Sequence, residues 1–378
     1  MANIMLHGAT TGANFGDVLF ADLFFERIKE LNEDGNNYFY ESRYAMSDQI
    51  KEYLNYNYHY SFNSLWKADA LVYFSGGYFG ERVSTPKEDI LRFLKYMVVG
   101  MFFVIRNKPI AILGLGAGPL SNRYLRWFCK KIFNHATIIT VRDTQSKSYL
   151  EKYGVKKEII VTSDSAQIVS REFVSMVKDN NIRIEPPIAS PKNIFLHINP
   201  VENSNSSIIE KIVEPLNSFL SENPEYGVVI GCDAHGDSTN AELEKVHKKV
   251  KAGNVSKYFY NNPRDLCALL TEMDVIVTSK LHVGILGATF SKSVISISGH
   301  SEKIYRYYEQ IGESGRTISL EDCTYGKIKG MLDTYHLKPI ILEKGIIESA
   351  NTNFKYLEEF TNLVRRKGQL QIAKSKGV

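Results

Sequence analysis

DVIVTSKLHVGILGATFSKSVISISG, residues 274–299, reads as a complete strand–helix–strand unit. Two runs rich in β-branched residues, DVIVTS and SVISISG, flank a segment of small residues. Runs of that kind separated by one helix form a parallel crossover, because parallel neighbours need a connection of a dozen or more residues. The small residues of VGILGATF let the helix lie close to its sheet. Where the first strand gives way to that helix stand Lys280 and His282, a fixed cation and an imidazole that titrates near neutrality. Two apart in an extended strand end, they are expected to point the same way.

Outward from this unit the same rhythm recurs. Toward the N-terminus, NIMLHG, ALVYFSGG, KPIAILGLGAGPL, TIITVRD and EIIVTSDSA read as strands. DVLFADLFFERIKEL, EDILRFLKYMVVGMFFVIRN, LRWFCKKIFNHA and TQSKSYLEKYG have helical spacing between them. NIFLHINP, YGVVIGCD and VSKYFY continue the pattern in the second half. The βαβα order predicts two Rossmann-like, doubly wound parallel-sheet α/β domains facing a cleft. The polar, proline-bearing stretch VKDNNIRIEPPIASPKN predicts a linker over 177–193. The expected layout is an N-terminal domain over 1–176, a C-terminal domain over 194–318 and a helical tail over 319–378.

Composition bounds the function. Of 378 residues, 44% are apolar and 23% charged, enough for two ordinary cores. A net charge of +4 is too mild for a nucleic-acid protein and suits a small anionic substrate. Cys129, Cys232, Cys267 and Cys323 lie far apart, which predicts reduced thiols. The start, MANIMLHGATTGANFGD, lacks the basic region and apolar core of a signal peptide, and the longest apolar run, MVVGMFFVI, is short of a membrane span. The expectation is a cytoplasmic protein without a transmembrane segment.

Most unusual residues follow strands, where ligands bind in open α/β sheets. GANFGD carries Asn14 and Asp17 ahead of a helix. SGG (Gly76, Gly77) and GLGAGP (Gly116, Gly118) read as glycine loops that let a substrate approach the main chain, or as tight turns. VRD places Arg142, a planar fork for a carboxylate or phosphate, beside Asp143; a structural pair or a helix-capping Asp143 would use the same residues. GCDAHGDS carries Asp233, His235 and Asp237 at a spacing that suits substrate contact better than a metal. GHSEK brings His300 and Lys303 after the next strand.

Taken in order, GANFGDVLFADL, SGG, GLGAGPL, VRDTQSKSYLEKYGV, SDSA and TSKLHVGILGATFSKSVISISGHSEK resemble the polysaccharide pyruvyl transferases along most of the chain. The resemblance implies a glycosyltransferase B-like architecture. It implies transfer of a pyruvyl group from phosphoenolpyruvate to two sugar hydroxyls, giving a ketal and phosphate, with no cofactor beyond that substrate. His282 then becomes the acid/base group, and Arg142, Lys280, His300 and Lys303 become donor-binding residues. Asn14, Asp17, Gly76, Gly77, Gly116 and Gly118 fall on the acceptor side. The family usually has arginine where Lys280 stands, which keeps the charge and loses the bidentate fork. It often has three glycines in place of SGG, and a tyrosine-aspartate form in place of GHSEK. The acceptor would be a sugar in free, nucleotide-linked or lipid-linked form. For a lipid-linked acceptor, LRWFCKKIF is the segment suited to peripheral contact with the inner membrane face. Two rivals share the architecture: a glycosyltransferase using a nucleotide sugar, and a non-catalytic glycan-binding relative.

Overall fold

The computed structural model describes residues 2–9, 15–33, 36–40, 53, 58–59, 62–80, 85–169, 183–197, 206–233, 237–299 and 301–375. The chain divides into two compact units. One comprises Met1–Ala13, Asp17–Ser165 and Ile347–Val378; the other comprises Asn14–Gly16 and Ala166–Ile346.

In the first unit the elements run Asn3–His7 (β1), Phe15–Leu31 (α1, whose first two residues group with the second unit), Asn36–Tyr40 (β2), Tyr58–His59 (β3), Phe62–Lys67 (α2), Ala70–Tyr73 (β4) and Gly76–Phe79 (β5). Pro86–Arg92 (α3), Val98–Ile105 (α4), Ile110–Ala117 (β6), Arg123–His135 (α5), Ile138–Val141 (β7), Thr144–Lys152 (α6) and Ile160–Val161 (β8) follow. The sheet order is β3-β2-β1-β4-β6-β7-β8, with β5 also on β6 and every pairing parallel. Strand order reverses between β1 and β4. The fully buried runs of β4 and β6 fit a sheet covered on both faces.

The second unit runs Arg183–Glu185 (β9), Lys192–His197 (β10), Ser206–Glu222 (α7), Tyr226–Gly231 (β11), Asp237–His247 (α8), Val255–Phe259 (β12) and Pro263–Thr271 (α9). Val275–Thr278 (β13), Leu281–Thr289 (α10), Ser293–Ser298 (β14), Ser301–Gln310 (α11), Thr317–Ser319 (β15) and Tyr325–Tyr335 (α12) complete it. Its order is β15-β14-β13-β10-β11-β12-β9, parallel except for the edge strand β9. The reversal here lies between β10 and β13. Both sheets are doubly wound, as expected, and each has one switch point.

The units are drawn differently from the expected 1–176, 177–193, 194–318 and 319–378. The described end of the predicted linker belongs to the second sheet, because Arg183–Glu185 pairs with β12 and β10 begins at Lys192. The predicted tail is shared between the units. Helix α12 buries Ile328 and Leu332 in the second core. Lys344–Ser375 (α13) instead buries Phe354, Leu357 and Phe360, and the Phe354 ring lies 4.7 Å from Phe24 of α1. Its buried Asn353 accepts from Thr140 at 2.5 Å and Thr162 at 3.1 Å and donates to the Ser163 carbonyl at 3.2 Å. An apolar side chain at 353 would remove one buried partner each from Thr140, Thr162 and the Ser163 carbonyl, so the amide favours this register of α13 on the first sheet.

Two glycine readings change as well. Gly76 and Gly77 open β5 instead of forming a turn, and Gly114 and Gly116 lie inside β6. Pairing of β5 and β7 with β6 overrides the local turn preference, at the expense of register shifts in both ladders.

Candidate functional site

In the second unit three strand ends converge at the switch point. His197 is the last residue of β10, Asp233 follows β11, and Lys280 follows β13 as the N-cap residue of α10. His197 Nε2 lies 3.3 Å from Asp233 Oδ1, and Lys280 Nζ lies 3.9 Å from Asp233 Oδ2. His197 and Asp233 are each 3% exposed, whereas the Lys280 side chain is about a third open. Burial by itself would raise the Asp233 carboxyl. The His197 imidazole beside it, together with the Lys280 charge, outweighs this and holds the group below the ordinary carboxylate range. Tyr260 is pushed well above the usual phenol range, chiefly by burial and then by the Asp233 charge, so it stays protonated at neutral pH.

The Lys280 backbone N–H donates to Thr278 Oγ1 at 3.0 Å, which shapes the turn into α10. Lys280 has extended backbone and no side-chain cap bond, while His282 sits in the first helical turn. The two residues therefore diverge and are not neighbours on one strand face. Lys280 reaches Asp233, and the imidazole of His282 fills the space where a Cβ on Gly16 would stand. Gly16 groups with the second unit, so its missing side chain is part of the seat for His282. Helix α10 is drawn onto the sheet as its composition implies: a Cβ on Gly287 would come within 2.7 Å of Ile276 and 2.8 Å of Val294.

In the first unit Arg142 follows β7 and is 8% exposed. Its Nη1 lies 3.3 Å from Asp164 Oδ2 and its Nε 3.9 Å from Asp143 Oδ2. Asp143 also caps α6, accepting from the Ser146 N–H at 2.6 Å. The guanidinium rests on Gly116, where a Cβ would meet Nε at 2.8 Å. Asp17, in the first turn of α1, lies beside Gly76, 3.7 Å from where a Cβ would be. Burial raises the phenols of Tyr78 and Tyr96 above their usual range, and the Asp17 charge adds to both. Gly77 lies in β5, and Gly118, just past β6, donates to the Phe79 carbonyl at 3.2 Å.

Lys303 lies in the first turn of α11 with an exposed side chain. Asn14, His300 and His235 lie outside the described residues. Among the described residues no group of three or more His, Cys, Asp and Glu could hold a metal ion, and the four cysteines are free and buried. The structure thus joins Lys280 to Asp233, Arg142 to Gly116, and Asp17 to Gly76. His197 was missed in the sequence. It reads as the end of an ordinary strand, although the strand-end rule that selected Lys280 applies to it equally.

A prediction concerns the buried Asp233 carboxylate. The folded-state pKa of Asp233 is depressed, so its contribution to stability is present above the unfolded value and is lost as the pH falls through the folded one. The stability gap between wild type and Asp233→Asn should be widest above about pH 4 and should narrow below it. Urea midpoints across that range check this; a gap independent of pH would contradict it.

Two doubly wound parallel sheets, each with polar residues at its switch point, define a protein of the Rossmann-like, glycosyltransferase B-like class. Solved structures agree. UDP-GlcNAc 2-epimerase from Neisseria meningitidis, bound to UDP-GlcNAc, has a TM-score of 0.62 at 14% identity, covering 95% of this chain and 100% of that one. The S. aureus MnaA–UDP structure has a TM-score of 0.62 at 13% identity, covering 96% and 98%. The spinosyn forosaminyltransferase SpnP has a TM-score of 0.50 at 11% identity, covering 98% and 99%. At such identities the likeness concerns the fold alone. A comparison with curated proteins gives no match. The chain belongs to the polysaccharide pyruvyl transferase family, whose sequence model matches residues 14–301. Membership implies a transferase acting on polysaccharide.

Proposed function

We propose that the chain transfers a pyruvyl group from phosphoenolpyruvate to two hydroxyls of one sugar in a surface polysaccharide or its precursor. The observation that carries this is Lys280 and His282 at the β13–α10 junction, beside the second switch point, with Lys280 anchored on Asp233. Phosphoenolpyruvate presents a phosphate and a carboxylate, so it needs cations. Protonation of its methylene carbon makes the adjacent carbon electrophilic. One sugar hydroxyl adds there, the bond to the phosphate oxygen breaks, and a second hydroxyl closes the ketal. Two C–O bonds form and one breaks. Of the two hydroxyl protons, one balances the new methyl group and the other balances the released phosphate. A group that gives and takes protons near neutrality suits these steps, and His282 fills that role.

In this reading Lys280, Arg142, His300 and Lys303 bind the donor, and Asn14, Asp17, Gly76, Gly77, Gly116 and Gly118 lie on the acceptor side. The steps as written need no redox cofactor. A thermal-shift titration tests the donor. Phosphoenolpyruvate at about 100 times its dissociation constant should add about 2.7 kcal/mol to stability. Lys280→Ala should weaken that binding by roughly tenfold to a hundredfold, in line with loss of a charge-assisted contact. Stabilisation by UDP or GDP sugars and none by phosphoenolpyruvate would overturn the reading in favour of glycosyl transfer.

A further inference from the structure

Helix α3 does not stop at Arg92. Its C-cap Phe93 is helical, a π-helical turn spans Phe93–Met97, and α4 continues from Val98 to Ile105. The result is one helical rod from Pro86 to Ile105, about 30 Å long at 1.5 Å per residue. Its inner side buries Met97, Val99 and Phe103. Along the other side Ile90 (60% exposed), Leu94, Val98 and Ile105 (79% exposed) form a stripe with successive spacings of four, four and seven residues. That is helical spacing on one face, and the face is apolar and open.

The stripe is continuous with its neighbours. Phe93 packs on Phe128 of α5 at 4.7 Å, and Phe128 packs on the exposed Trp127 at 4.9 Å. On the other flank Phe102 meets the exposed Trp66 of α2 edge-on at 5.4 Å. Cations surround this surface: Arg106 stacks on Trp66, and Lys131 lies over Trp127. The exposed charges on these helices are Lys67, Lys87, Arg123, Arg126 and Lys131 against the single acid Glu88. Glu88 is itself engaged in the capping box with Thr85.

We infer that this face docks on an anionic lipid bilayer, with the Pro86–Ile105 rod lying in the plane of the interface. An open apolar stripe, flanking tryptophans and an almost wholly cationic rim are the features of an interfacial helix, and a soluble protein partner would not call for all three. No helix among the described residues is long and apolar enough to cross a membrane, so the contact is peripheral. The LRWFCKKIF segment singled out in the sequence forms only the flank; the rod supplies the centre.

Co-sedimentation of the full chain tests this, with vesicles of phosphatidylcholine alone and of equal parts phosphatidylcholine and phosphatidylglycerol. The expected result is binding to the anionic vesicles, weakened by raised salt. The double variant Leu94→Glu/Ile105→Glu should lose at least tenfold in partitioning while its melting temperature stays near that of wild type, because both side chains are exposed. Wild-type protein that stays in the supernatant with both vesicle types would overturn the inference. So would a variant that binds like wild type, or a wild-type dimer that ignores vesicles and is split by the double substitution, which would assign the face to a second copy. The assay reads no catalysis, so its outcome is separate from that of the pyruvyl-transfer reading.

Discussion

Replacing His282 with alanine is expected to lower the rate of phosphate release from phosphoenolpyruvate and acceptor by about 10²–10⁴-fold, the usual contribution of one positioned acid/base group. The fold should survive, because the imidazole is only partly buried and stands in the first turn of α10. Gly16→Ala gives the sharper form of this test. A Cβ there would overlap the imidazole, so the ring must leave its seat. Alanine is also the better helix former, so α1 itself should not suffer. Loss of turnover in Gly16→Ala with an unchanged melting temperature would tie the chemistry to the position of the ring. Full activity in both variants would remove His282 from the mechanism.

Asp164→Ala should destabilise the first unit by about 3–5 kcal/mol, the range found when one partner of a buried pair is removed. Arg142 and Asp164 have side chains 9% and 4% exposed, so the orphaned guanidinium could not recover its hydration. Asp143, 3.9 Å from Nε, would soften the loss only in part, because it already caps α6. Urea denaturation measures the effect. The double variant Arg142→Met/Asp164→Leu separates two roles for Arg142. A pair that serves only the fold should be replaceable with most stability and phosphoenolpyruvate binding retained. A guanidinium that also contacts the donor should lose binding while stability recovers.

Much of the architecture is local and was therefore legible. Short β-branched runs such as VIVT and SVISIS favour buried strands, and their alternation with amphipathic helices argues for parallel crossovers. The cation and imidazole after Thr278 were visible for the same reason, since strand ends are where open sheets place ligands. The glycines of β5 and β6 read locally as turns because turn preference is a local property, while their pairing is settled by strands distant in sequence. The division of the C-terminal segment between the two units is hidden from the sequence for a similar reason. Nothing local distinguishes a helix that buries Ile328 from one that buries Phe354, and each follows the core that accepts its apolar face.

By itself the sequence determined the two doubly wound sheets, the family and the junction that carries Lys280 and His282. Tertiary structure alone decided the rest of the site: which strand ends meet, that Lys280 leans on the His197–Asp233 pair, and that His282 rests against Gly16. Periodicity constrains each element against water, one face at a time. The partners of a buried charge are set by strand order and by the glycine that leaves room for a ring, and those arise only when distant segments pack.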